Sequence, residues 1–365
     1  MNFRAGDWVV VKSREEILST VDKNGEIVAL PFMAEMLQYC GQRLQVAAIA
    51  HKACDTINKT GGRRVANAVH LNGIRCDGSA HGDCQAGCLI FWKTDWLRPA
   101  DATSSADRRN VRPTNSVMGL NGLRAIGSRS EGGEKVYSCQ ATRLFAASTL
   151  VPWWDFRQYL TDVWCGNVGI RRLLRVGLLR GLYHMRRLPR GYRASIALHD
   201  AVHKLITGRP SPYNKDGLIP VGDPTPTETL NLASGDLVQV KSHEEIRRTT
   251  TEQNFNRGMR FDVEMVPFCG RTFKVDRKVE RLIDERTGKM LVMKSPCIVL
   301  DGVVCGAEYS DRRLFCPRQI PPYFREIWLR RASAGAKGIA EVTPSGGEGV
   351  FQRHNRFSPI RPDGT

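Results

Sequence analysis

The segment Cys76-Asp-Gly-Ser-Ala-His81-Gly-Asp-Cys84-Gln-Ala-Gly-Cys88 places three thiols and an imidazole in one short loop with almost no bulky apolar side chain. Such a loop cannot fold by burial, whereas tetrahedral zinc held by three thiolates and a histidine would close it, and thiolates also suit an iron–sulfur cluster. Cys76, His81, Cys84 and Cys88 are therefore the candidate metal ligands, with Cys40, Cys54 and Cys139 as extra donors. The competing view is a solvated loop whose Cys76 and Cys88 are small buried hydrophobes. A thiolate activated by His81, or a metal with an open position, would instead serve a thiol- or metal-dependent enzyme. No orienting carboxylate stands at a readable spacing, and the sequence has neither a Walker loop nor a Rossmann fingerprint, so the expectation is a non-catalytic protein.

A second cluster is electrostatic. Lys+Arg 54 against Asp+Glu 37 leaves a net charge of +17, which favours an acidic partner. Residues 167–193 contain eight arginines and no acid, about half of that net charge. Advancing about 100° per residue, Arg171, Arg172, Arg175, Arg180, Arg186 and Arg187 fall on one half of a helix, and Ile170, Leu173, Leu174, Leu178 and Met185 on the other. This is a basic amphipathic helix, preceded by Trp153, Trp154 and Trp164, whose rings suit a lipid interface. The expected partner is an anionic membrane surface or an acidic protein, with nucleic acid as the alternative. The plainer expectation is a helix that packs its apolar face on the rest of the chain and turns the arginines to water.

The elements that must position these residues come from an internal repeat. Residues 6–76 align with 235–305 at a constant offset of 229 without a gap, and the positions shared include Gly6, Asp7, Val9, Val11, Ser13, Glu16, Phe32, Glu35, Cys40, Gly73 and Cys76. Twenty of the 71 positions are identical, where chance gives roughly one in fifteen. Cys269, Cys305 and Cys316 are the counterparts of Cys40, Cys76 and Cys88 and the candidate ligands of a second site, but His81 and Cys84 have none. Ser13 with Glu16, and Ser242 with Glu245, are capping boxes that predict short helices. Strands are expected at 42–50, 89–93 and 271–279, and Asn72-Gly73 and Asp301-Gly302 predict two-residue hairpins. In such a hairpin Ile298 faces Cys305, which sends Cys297 to the core rather than to a metal. Glu35 and Glu264 are read as solvated or capping carboxylates.

The openings Gly6-Asp-Trp-Val-Val-Val11 and Gly235-Asp-Leu-Val-Gln-Val240 resemble the first strand of SH3-like barrels, including the KOW type. The resemblance implies a binding module rather than a particular activity. The expected fold is α+β, mainly β: two duplicated SH3-like small antiparallel barrels at 1–100 and 228–332 with a helical insert between them. A flexible linker is expected at 101–134, the basic helical segment at 135–210, a proline-rich linker at 211–227 and a disordered tail at 333–365. The amino terminus lacks the pattern of a signal peptide and the apolar runs are too short to span a bilayer. With eleven cysteines read as reduced, the chain is placed in the cytoplasm, peripheral to the membrane, as a scaffold or adaptor.

Overall fold

Ser13 Oγ accepts from the Glu16 N–H at 3.2 Å while the Glu16 carboxylate accepts from the Ser13 N–H at 2.8 Å. Ser242 and Glu245 repeat the arrangement at 3.3 and 2.9 Å. Both capping boxes therefore start the helices they predict, by satisfying N–H groups that a first turn leaves free. The computed structural model describes residues 3–100, 120–185, 192–213, 216–310 and 312–332. Its α-helices in chain order are α1 (Arg14–Leu18), α2 (Leu120–Ile126), α3 (Gln140–Arg143), α4 (Arg157–Trp164), α5 (Ile170–Met185), α6 (Tyr192–Thr207) and α7 (His243–Arg247). The chain is mixed α/β and mostly β, with antiparallel ladders.

In the amino-terminal segment the strand Trp8–Val11 pairs with Arg43–Ile49 on one side and Leu97–Pro99 on the other, and Arg43–Ile49 continues to Ala68–Leu71 and Trp92–Lys93. In the carboxy-terminal segment Leu237–Val240 lies between Thr272–Ile283 and Leu329–Arg331, with Met290–Leu300 beyond. The registers correspond: Val11 faces Leu97 as Val240 faces Leu329. Alternation turns Val9, Val11, Val238 and Val240 inward. Phe32 meets Trp96 edge to face at 5.2 Å in one core, and Phe261 meets Trp328 at 5.2 Å in the other. Such pairs add about 0.5–1.5 kcal/mol beyond their buried area.

Three expectations are corrected by the observed pairing. Gly73 and Gly302 turn the chain at φ 72°, but neither turn closes a two-residue hairpin. Cys76 N–H bonds to Cys88 O, Cys305 N–H to Ile320 O, and Ile298 pairs with Phe324 rather than Cys305. Cys297 is fully buried all the same. Part of the stretch read as a linker is built: α2 is followed by the hairpin Ser128–Glu131 and Glu134–Tyr137, whose Gly132 and Gly133 take φ 58° and 81°. Residues 101–119 and the tail at 333–365 lie outside the described residues. The region assigned to helix from 135 onward also contributes the strand Ser148–Val151, which pairs with Gly62–Val65 in a sheet completed by Lys52–Cys54.

Candidate functional site

Glu35 stands on the 3-10 turn Ala34–Tyr39, which Met33 and Met36 anchor in the amino-terminal core. The turn aims the carboxylate into the Cys76–Cys88 loop. Glu35 Oε1 lies 2.6 Å from His81 Nδ1, accepts the Ala80 N–H at 3.2 Å and lies 3.9 Å from Cys76 Sγ. Glu35 and His81 are both buried. One ligand atom from each of Glu35, Cys76 and His81 falls within 4.8 Å of the others, so this group could hold a metal ion. Glu35 Oε2 is buried with no hydrogen-bond partner among the described residues, which leaves an acceptor available to a cation.

Desolvation pushes the Glu35 carboxyl up, but the His81 hydrogen bond and charge overcome it and leave the group below its ordinary value. Cys76 moves the other way, because burial and the Glu35 charge hold its thiol protonated. A bound divalent cation would reverse that preference, since a coordinating thiol is deprotonated outright.

Cys84, Cys88 and Cys139 do not join this triad but line a cavity of about 50 Å³ with Cys76 and His81, bounded also by Ile283, Glu285 and Arg318. Cys84 Sγ accepts the Ile283 N–H at 3.3 Å, and burial pushes the Cys88 thiol up to about 12. Cys139 caps the start of α3. Cys40 and Cys269 pack against the two cores and are not part of the triad. Cys54 meets Cys316 from the other segment, its N–H donating to Cys316 Sγ at 3.1 Å.

The carboxy-terminal segment uses its equivalent carboxylate differently. Glu264 accepts the N–H groups of Tyr309 and Ser310 on Oε1, both at 2.7 Å, and of Glu308 on Oε2 at 3.2 Å. Among the described residues no side-chain cation bonds it, and desolvation raises its pKa despite the backbone hydrogen bonds. Cys305 lies beside it with its thiol pushed well up by burial and by the Glu264 charge. The solvated role expected for Glu35 and Glu264 is thus corrected: each is an internal tether for the loop that follows the Gly73 or Gly302 turn.

The arginines are also redirected. Arg172 Nε donates to Glu308 Oε1 at 2.6 Å, Arg175 reaches the same carboxylate at 3.2 Å, and buried Arg180 donates to Tyr213 OH at 2.8 Å and Tyr309 O at 3.2 Å. Arg171 alone of the four faces solvent, and Arg186 and Arg187 lie outside the described residues. The expectation of an outward basic face fails at Arg172, Arg175 and Arg180 because Glu308 and the Tyr309 carbonyl offer them partners inside the protein.

The side turned to solvent is apolar. On α4, Phe156, Leu160 and Trp164 are exposed at a spacing of four while Gln158 and Asp162 are buried. On α5, Ile170, Leu174, Leu178 and Met185 are exposed, and on α6 Leu198 and Leu205 are exposed while His199 and His203 are buried. The helices pack in sequence, α4 on α5 and α5 on α6. None of the described helices is long and apolar enough to cross a membrane. No protein-family model matches this sequence, and no similar curated protein is found, so the site's chemistry is all that speaks for its role.

Proposed function

We propose that this chain is a non-catalytic cytosolic scaffold of two SH3-like modules related by duplication, the first closed by zinc, and that it docks on an anionic membrane surface. The observation that carries the docking is the exposed apolar side of α4, α5 and α6: Asp162, Arg180, His199 and His203 are buried together with Val176 and Leu179, while Leu160, Trp164, Leu174, Leu178, Leu198 and Leu205 stand in water. An exposed apolar face of this size marks an interaction surface. Its charge selects the occupant: Asp162 is buried and Arg157 is paired with Asp155, while Arg171 and Lys204 stand exposed among the apolar groups. Aromatic rings beside cations suit the headgroup region of anionic lipid, where each cation contributes ~1 kcal/mol. The duplication is supported by the matched elements, registers and capping boxes, and the cytosolic location by eleven free thiols.

Sedimentation with vesicles tests the docking. Phosphatidylserine-containing vesicles should carry the chain down in about 0.1 M salt and release most of it at about 1 M, where the screening length falls to about 3 Å. Phosphatidylcholine vesicles should bind less, and Leu160→Gln with Trp164→Gln should weaken both. Equal binding to the two lipids, or self-association that buries the same face without lipid, would reject the reading, and salt-sensitive binding to RNA alone would replace it with the nucleic-acid alternative. Elemental analysis tests the metal. Zinc should be present in the purified chain and lost in Cys76→Ser and His81→Ala, and a folded wild-type chain free of metal would reject the zinc assignment.

A further inference from the structure

Cys54 and Cys316 lie 262 residues apart and meet where the amino- and carboxy-terminal segments touch. Cys54 ends the strand Lys52–Cys54, and its side chain hydrogen-bonds that of Cys316. Arg318, buried in the same seam, donates to Cys54 O at 3.2 Å and to Thr56 Oγ1 at 3.3 Å, and its Nη1 lies 3.9 Å from Cys54 Sγ. Glu285 holds the other guanidinium nitrogen at 2.9 Å and also bonds Thr56. The pair therefore combines two thiols in contact with a cation fixed beside one of them, the surroundings that make a cysteine reactive. Cys40 and Cys269, by contrast, pack against apolar cores.

Burial raises the thiols of Cys88, Cys269 and Cys305. At Cys54 the hydrogen bond from Cys316, helped by the Arg318 charge, outweighs burial and brings the thiol down, while Cys316 moves up. The Arg318 guanidinium beside Cys54 Sγ favours that sulfur as the attacking thiolate and leaves Cys316 as its resolving partner. Cys54 is buried and Cys316 half-buried, so a small oxidant must reach Cys54 from the Cys316 side of the pair.

We propose that Cys54 and Cys316 are a redox dithiol that a hydroperoxide closes to a disulfide, clipping the two segments together. The Cys54 thiolate attacks one peroxide oxygen, the O–O bond breaks, and the leaving alkoxide takes up the proton that Cys54 released, giving an alcohol and a sulfenic acid on Cys54. Cys316 sulfur then attacks that sulfur and the S–O bond breaks. The departing hydroxide combines with the Cys316 proton to form water. Two thiols lose two electrons and two protons, and the hydroperoxide is reduced to alcohol and water.

The test uses the reduced full chain, hydrogen peroxide as oxidant, and mass spectrometry of peptides alkylated and digested without reductant. The expected product is a Cys54–Cys316 linked peptide pair, formed before other cysteines are modified and reversed by dithiothreitol. Cys316→Ser should trap the Cys54 sulfenic acid as its dimedone adduct, and Arg318→Met should slow formation of the link about tenfold by removing the cation that favours the thiolate. Circular dichroism on both variants separates loss of reactivity from loss of fold. Links among other cysteines ahead of this pair, oxidation of Cys54 past the sulfenic acid with Cys316 present, or a link that forms only in denaturant would each overturn the proposal.

Discussion

Asp162 anchors the inverted face, and its removal measures how strongly. It is fully buried on α4, taking Lys52 Nζ at 2.5 Å and His51 Nε2 at 2.8 Å from the amino-terminal segment. Lys52, itself buried, also lies over the Tyr159 ring at 4.9 Å. Asp162→Ala leaves an ammonium without its counter-charge in a dry site. Removing one partner of a buried pair costs about 3–5 kcal/mol, against less than about 1 kcal/mol for an exposed pair such as Arg129 with Glu131. At about 1.4 kcal/mol per tenfold, the unfolding equilibrium should shift by roughly 150- to 4,000-fold. Replacing both partners, Lys52→Met with Asp162→Leu, should recover most of the loss, because well-packed apolar groups substitute for a buried pair at little cost. Urea unfolding followed by tryptophan fluorescence and circular dichroism gives the three stabilities from midpoint and slope. An Asp162→Ala loss below about 1 kcal/mol, or a double variant no better than the single, would refute the reasoning.

The two tether carboxylates should respond to acid in opposite directions. Glu35 sits below its ordinary value when folded, so its contribution is present above about 4.5 and lost as pH falls further; Glu264 sits above, so its contribution is present below about 4.5 and lost as pH rises through its folded value. In urea midpoints taken across this range, Glu35→Gln should flatten the acid-side fall and Glu264→Gln the opposing slope. Gly78 at φ 75° has Cys84 O only 2.2 Å from where a Cβ would stand, whereas Gly73 at φ 72° has nothing within 4 Å. Gly73→Ala should cost only the ~1–2 kcal/mol of a left-handed residue, and Gly78→Ala clearly more, with loss of whatever metal the Glu35, Cys76 and His81 group is shown to hold. Glu308→Ala frees Arg172 and Arg175 and should destabilise the chain by about 2 kcal/mol, read as a thermal midpoint shift, because charge-assisted hydrogen bonds contribute about that much.

Local signals in the sequence were legible where the partner is also local. Ser13 and Glu16 sit three residues apart, so their cap can be read directly, as can the alternation of Val9 and Val11. The hairpins failed because Asn-Gly and Asp-Gly specify a turn but not which strands will pair, and Ala68–Leu71 finds Arg43–Ile49 and Trp92–Lys93 instead. The built part of the linker was overlooked although Glu131-Gly-Gly-Glu134 is itself a hairpin signal. Glu35 was missed as a candidate ligand because it lies 41 residues before Cys76 and 46 before His81. Its trace was a carboxylate repeated as Glu264 between the repeated apolar residues Phe32 and Met36, a place where a merely solvated side chain has no reason to recur. The helical wheel of α5 separated two faces correctly but could not say which one turns inward, since Glu308 lies far along the chain.

The contrast between Glu35 and Glu264 also bears on why, among the described residues, a group that could hold a metal ion forms in the amino-terminal segment. Both carboxylates hold the same loop at the same point, through Ala80 in one and Tyr309 in the other. Both have a cysteine nearby, Cys76 or Cys305. What differs is the next residue. Ser310 presents its backbone N–H, and with Glu308 and Tyr309 it brings three donors to the Glu264 carboxylate. Those dipoles engage both oxygens of the carboxylate. His81 instead brings an imidazole to Glu35 Oε1 and leaves Oε2 without a partner among the described residues. A carboxylate with a spare oxygen, a thiol and an imidazole supply donors that zinc accepts, whereas a carboxylate with both oxygens already engaged by backbone N–H groups serves first as a tether.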